Sequence, residues 1–130
     1  MNHDPVSDSE VLARFIAYGG WIRKDKTVRQ DAFIPYPHSE LSVTRHLSLS
    51  EAEIWNLGKL AIGDPPRQLH GRADITAINV RNQDLNVESQ PVVGNPNHAV
   101  IINWPNAKDA QKVRALELAA AAKFVSISEQ

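Results

Sequence analysis

The chain contains no cysteine, which removes disulfides, thiol nucleophiles, iron–sulfur clusters and every cysteine-based zinc site at once. It also lacks an excess of either charge. Fourteen Lys and Arg stand against fifteen Asp and Glu, so no global field recommends nucleic acid or an anionic membrane as partner. No apolar run approaches the roughly 20 residues of a membrane span. The opening Met1-Asn2-His3-Asp4-Pro5 is polar and acidic, without the apolar core of a signal peptide. The expectation is a cytoplasmic protein with no membrane association.

Strong catalytic signatures are missing too. There is no phosphate loop of the G-x-x-x-x-G-K type, no G-x-G-x-x-G, no G-x-S-x-G elbow and no H-E-x-x-H. The histidines His3, His38, His46, His70 and His98 have no close metal-ligand spacing, so neither a metal nor another cofactor is expected. What is present is an ordinary globular composition, 42% hydrophobic over 130 residues, enough for one self-sufficient core. Residues 1–130 therefore read as a single domain.

Ser7 and Glu10 have capping-box spacing, and Val6 and Val11 flank them as a staple. Val11, Leu12, Phe15 and Ile16 then share one helical face, and Gly19-Gly20 ends the segment. A first helix is predicted here. The basic cluster Arg23, Lys24, Lys26 and Arg29 reads as a solvated turn, with an anion contact as the alternative. Thr27 to Ile34 predicts a strand, and Pro35-Tyr36-Pro37-His38-Ser39 a rigid loop after it.

Leu41 to Leu47 predicts a second strand. Leu41, Val43, Arg45 and Leu47 share one face, while Ser42, Thr44 and His46 share the other. Ser50 and Glu53 repeat the capping box, with Leu49 and Ile54 as staple, and open a helix that Gly63-Asp64-Pro65-Pro66 stops. Ala73 to Arg81 reads as a strand, although Ala73, Ala77 and Val80 also fit helical spacing. Leu85 to Glu88 predicts the next strand.

Ala99 to Trp104 is short and β-branched, as a buried strand requires. Gly94 and Asn95-Pro96 make the turn before it, and His98 stands at its mouth in phase with Val100, Ile102 and Trp104. Asn106 is the expected cap of a last helix, whose stripe is Val113, Leu116, Ala120 and Phe124, supported by Leu118, Ala119, Ala121 and Ala122, an alanine-rich helix expected to pack closely on the sheet. Trp55 and Trp104 should be buried and Trp21 the most exposed of the three. The fold class that results is α+β: one domain with a mixed or mainly antiparallel sheet of about five strands packed against three helices.

Arg45 on an apolar face needs a carboxylate, several carbonyls or a bound anion. Arg45, His46 and His98 are the candidate catalytic residues, since two histidines and an arginine can divide acid, base and charge stabilisation in phosphodiester cleavage. Arg45 and His46 point to opposite faces of a regular strand, whereas Arg45 and His98 share apolar-facing phases and are expected on one rim. Asn95, His98 and Arg45 are the candidate binding residues. The ordinary alternative is that each satisfies local hydrogen bonds.

The succession Ala32-Phe33-Ile34-Pro35, Leu41-Ser42-Val43-Thr44-Arg45 and Asn95-Pro96-Asn97-His98-Ala99-Val100-Ile101 resembles a group of short bacterial proteins of unassigned function. That resemblance implies a self-standing small bacterial domain and a protein partner encoded nearby. It carries no activity and no catalytic residue. Two readings of function follow. The first is an accessory or binding protein that acts through a protein partner, with homo-oligomerisation left open. The second is a small metal-independent enzyme acting on a phosphodiester or nucleotide with Arg45 and His98.

Overall fold

The computed structural model describes residues 4–127. Its central element is β1, Val11–Ile16, a strand where the spacing predicts a helix. The local contacts behind that expectation do form: the Ser7 amide donates to Glu10 Oε2 at 2.8 Å, and the Glu10 amide to the Ser7 carbonyl at 3.1 Å. They close a single turn, after which the chain extends. Leu12 and Ile16 enter one core and Ala13 and Phe15 another. A strand covered on both faces is apolar at nearly every position, which is also how a buried helix reads. Gly19–Trp21, expected to follow a helix end, forms a 3₁₀ turn instead.

Val28 makes an isolated bridge to Ile22, and Gln30–Phe33 then winds into a second 3₁₀ turn that buries Ala32 and Phe33. The expected strand over Thr27 to Ile34 is thus absent. The basic cluster forms the turn between the two: Arg23 donates to the Val28 carbonyl at 2.9 Å, and the Asp25 carboxylate accepts from the Thr27 amide at 3.0 Å. Lys24, Lys26 and Arg29 are exposed.

β2, Leu41–Arg45, follows the proline-rich loop. The helix α1, Glu51–Ile62, has the full capping box, with the Glu53 amide donating to Ser50 Oγ at 3.2 Å and the Ser50 amide to Glu53 Oε1 at 2.9 Å. Gly63, at φ 74°, ends it. β3, Gly71–Thr76, passes directly into the short helix α2, Ala77–Arg81, so the stretch expected as one strand divides at Thr76. The Thr76 hydroxyl accepts from the Asn79 amide and caps α2. β4, Asn86–Ser89, and β5, His98–Ile102, come next. Asn103 takes φ 71°, and this left-handed residue turns Trp104 out of phase with His98, Val100 and Ile102 into the core that holds Ile101.

α3, Lys108–Ala121, departs from the expectation in two ways. Ala107 rather than Asn106 is its cap residue, without a side-chain bond; Gln111 instead reaches back to the Pro105 carbonyl at 2.8 Å. The buried face is Gln111, Ala115, Leu118 and Ala119, while Val113 and Leu116 are 63% and 48% exposed. The predicted stripe is rotated because the small face, not the bulky one, lies against the core. α3 ends early, and Phe124 belongs to a final strand β6, Lys123–Ser126, that periodicity had merged with the helix.

The six strands form one open sheet in the order β4-β5-β2-β1-β3-β6, with every pair antiparallel. The fold is α+β; the described residues hold three helices and six strands, α2 standing in the count where a helix after Ser7 was expected. α2, α3 and the 3₁₀ turn at Gln30–Phe33 cover one face around Leu12, Ile75, Ile101 and Leu118. α1 covers part of the other over Phe15, Ile54 and Trp55. Among the described residues no helix is long and apolar enough to cross a membrane.

Candidate functional site

Register decides which candidate residues can meet. Thr44 pairs with His98 across β2 and β5, so those two share a face. Arg45, the next residue of β2, pairs with Leu12 and stands on the opposite face. The shared rim expected for Arg45 and His98 is therefore not formed. The apolar side of β5 that carries His98 is not the side of β2 that carries Arg45, because both faces of this sheet are partly covered.

Arg45 is fully buried, and its charge is met inside the fold. Its Nε donates to Glu10 Oε1 at 2.7 Å and its Nη2 to Glu10 Oε2 at 2.8 Å. Its Nη1 donates to the Asp4 carbonyl at 2.9 Å. Hydrogen bonding from Arg45 holds the Glu10 carboxyl below its ordinary pKa, against the opposing effect of burial. This guanidinium ties the N-terminal segment onto β2.

His46 shares the face of Thr44 but turns to Asp74, with Nε2 3.0 Å from Oδ1. Asp74 also accepts from Arg72 Nε at 3.0 Å, and Arg72 grips Glu51 with two bonds of 2.8 and 2.9 Å while its guanidinium lies 4.6 Å from the Trp55 ring centroid. The Arg72 bonds lower the Glu51 pKa. The network fixes the start of α1 to the sheet. His3 lies outside the described residues, and among those described no three His, Asp or Glu groups are placed to hold a metal.

Asn95 and His98 do enter a cleft. Asn95 Nδ2 donates to Thr44 Oγ1 at 3.0 Å, and its Oδ1 accepts from the Asn97 amide at 3.0 Å. His98 Nδ1 lies 2.8 Å from the Gln90 carbonyl. A carbonyl can only accept, so Nδ1 carries a proton.

The cleft holds about 540 Å³, within the usual size of a small-ligand site. Phe15, Ala17 and Thr44 of the sheet region form its inner surface, and Leu57, Leu60 and Ala61 of α1 one wall. The other wall is the turn Val92–Asn95, closed by reciprocal backbone bonds of 3.1 and 3.0 Å. Gly94 at φ 87° is the position of that turn where a side chain would be strained.

Two arginines that sequence patterning did not single out complete the cleft. Arg14 lies where β1 and β2 splay apart beyond the Leu12–Arg45 and Ala13–Thr44 pairs. It bridges the gap, with Nε donating to the Ala32 carbonyl at 2.7 Å and Nη1 to the Ser42 carbonyl at 3.1 Å. Its guanidinium carbon is 5.9 Å from the Trp21 ring centroid. Arg67, on the loop after Pro65-Pro66, is exposed and has no ion pair among the described residues. Among the described residues no carboxylate lines the cleft. Burial, and secondarily the charge of Arg67, push the Arg14 pKa down to about 10, so it stays protonated at neutral pH. The available signal is a lone charge within the apolar run Val11–Ile16.

The site is thus an apolar cleft with two unneutralised guanidiniums, one histidine and an amide. No family model, no curated protein and no solved structure matches this chain.

Proposed function

We propose that the protein is a non-catalytic binding module that docks a protein partner over the mouth of this cleft. The observation that carries the reading is the placement of Leu60, Val92 and Val93. They are 71%, 38% and 98% exposed, and all three border the same opening. Exposed apolar side chains scattered singly need no explanation, but a group around one concave opening marks an interaction surface. The partner encoded nearby and the cytoplasmic, bacterial setting belong to the same reading.

A photo-crosslinking amino acid at position 93, expressed in the native host and followed by mass spectrometry, tests it. A specific crosslinked protein should appear, and Leu60→Asp should abolish its capture while leaving the fold intact. Capture unaffected by Leu60→Asp would overturn the docking surface.

The rival reading, a metal-independent enzyme on phosphodiesters or nucleotides, keeps one observation in its favour. His98 and Arg14 line the same cleft even though Arg45 does not. Hydrolysis of a nucleotide or phosphodiester panel that His98→Gln eliminates without loss of stability would establish that activity in place of simple binding.

A further inference from the structure

We infer that the cleft captures the C-terminal carboxylate of its partner's chain, with the last apolar side chains against the α1 wall. The inference rests on the docking reading above and specifies the chemistry of what docks.

Its first support is a charge imbalance. Arg14 has five N–H donors, of which the Ala32 and Ser42 carbonyls take two. The remaining three have no acceptor among the described residues, and Arg67 adds a second guanidinium without a counter-ion. Arg45, Arg72, Arg81 and Arg114 each have a carboxylate partner. A partly buried guanidinium beside a like charge is a cost to the fold that an incoming anion relieves. A planar carboxylate matches the two-pronged geometry of such a donor.

The second support is shape. Arg14 is the inner charge and half-buried, while Arg67 is the outer and exposed. An internal segment that reached Arg14 would bring backbone N–H and carbonyl groups in from both directions, and the Leu57, Ala61 and Phe15 surfaces offer them no partners. A chain end enters once and presents its anion first. Thr44 and Asn95, whose side chains bond each other, keep a hydroxyl hydrogen and one amide hydrogen for the final peptide unit, as in other sites that recognise a free terminus.

Isothermal titration with a panel of hexapeptides having apolar last residues tests this, using free acids, the same peptides as C-terminal amides, and amidated peptides carrying an internal glutamate. Free acids should bind at least tenfold tighter than their amides. Arg67→Gln, at an exposed side chain with no ion pair among the described residues, should reduce that ratio without changing the melting temperature, and Arg14→Lys, which keeps a cation but loses the fork, should remove most of it. Equal affinity of acid and amide overturns the inference, as does the absence of binding by any peptide. An internal glutamate that restores full affinity overturns the terminal assignment. Rim-dependent crosslinking at position 93 alongside equal acid and amide affinities would leave the docking reading standing and remove only the carboxylate.

Discussion

Glu10 and Arg45, 35 residues apart in the chain, meet in a two-pronged ion pair that fastens the start of β1 to the end of β2. Both oxygens of the carboxylate are engaged, and the guanidinium is 2% exposed. Removing one partner leaves a buried charge without compensation, which typically costs about 3–5 kcal/mol. Arg45→Met should show such a loss in denaturant melts, and Glu10→Gln a loss of the same sign. A combined apolar replacement at both positions should cost much less than the two single losses together. Losses within about 0.5 kcal/mol, the range of ordinary surface substitutions, would contradict the pairing.

The same pair gives the protein an acid-sensitive limb. The folded-state pKa of Glu10 is lowered, principally by the hydrogen bond from Arg45, and that of Glu51 by the bond from Arg72. A depressed carboxyl contributes stability that is fully present above its ordinary pKa of 4.5 and is lost as pH falls through the lower folded value. Urea midpoints should therefore decline on acidification below that ordinary value. Glu10→Gln should flatten the decline, and an unchanged slope would assign it to other groups.

Packing of α3 separates its residues sharply. Leu118 is fully buried, so Leu118→Ala should cost about 2–5 kcal/mol. Leu116→Ala and Val113→Ala, on the exposed face, should stay within about 0.5 kcal/mol. Equilibrium melts of the three variants decide between this face and the stripe that periodicity proposes.

Gly58 lies where α1 crosses β1. A Cβ there would stand 2.8 Å from the Phe15 ring and 3.0 Å from a Leu69 methyl. Alanine improves helix propensity by about 1 kcal/mol, while overpacking costs typically 1–3 kcal/mol. Gly58→Ala should thus lower the melting temperature, and a rise would show that Phe15 has room to give.

Iodide should quench Trp21 most readily among single-tryptophan variants. Trp55 and Trp104 are 4% and 8% exposed, whereas Trp21 is only half-buried against Arg14 and Tyr18. Since Trp21 also lines the cleft, a bound peptide should protect it from quenching.

Much of this architecture could be read from local signals. The capping box at Ser50 and Glu53, the stop at Gly63, the strands at Leu41–Arg45 and His98–Ile102 and the buried position of Arg45 all follow from neighbours a few residues away. The β1 segment reads as a helix because its Ser7–Glu10 contacts suit a turn or a helix equally, and a strand covered on both faces has the apolar density of a buried helix. α3 failed because alanines lie against the core while larger side chains face water, reversing the usual weighting by hydrophobicity. The cleft was invisible for a related reason. Arg14, Arg67 and Val93 come from three separate parts of the chain, and only the sheet order brings them to one opening.

β1 is an interior strand of the sheet and precedes in sequence both strands that flank it. Its two neighbours are β2 and β3, and the second of these is complete only at Thr76, about sixty residues after Ile16. At translation rates of about 5–20 residues per second, that interval is roughly 3–12 seconds. Throughout it Val11–Ile16, apolar except for Arg14, lacks its β3 neighbour. The order of strands in space, set against their order along the chain, makes the pairing of the second edge of β1 a late event of synthesis.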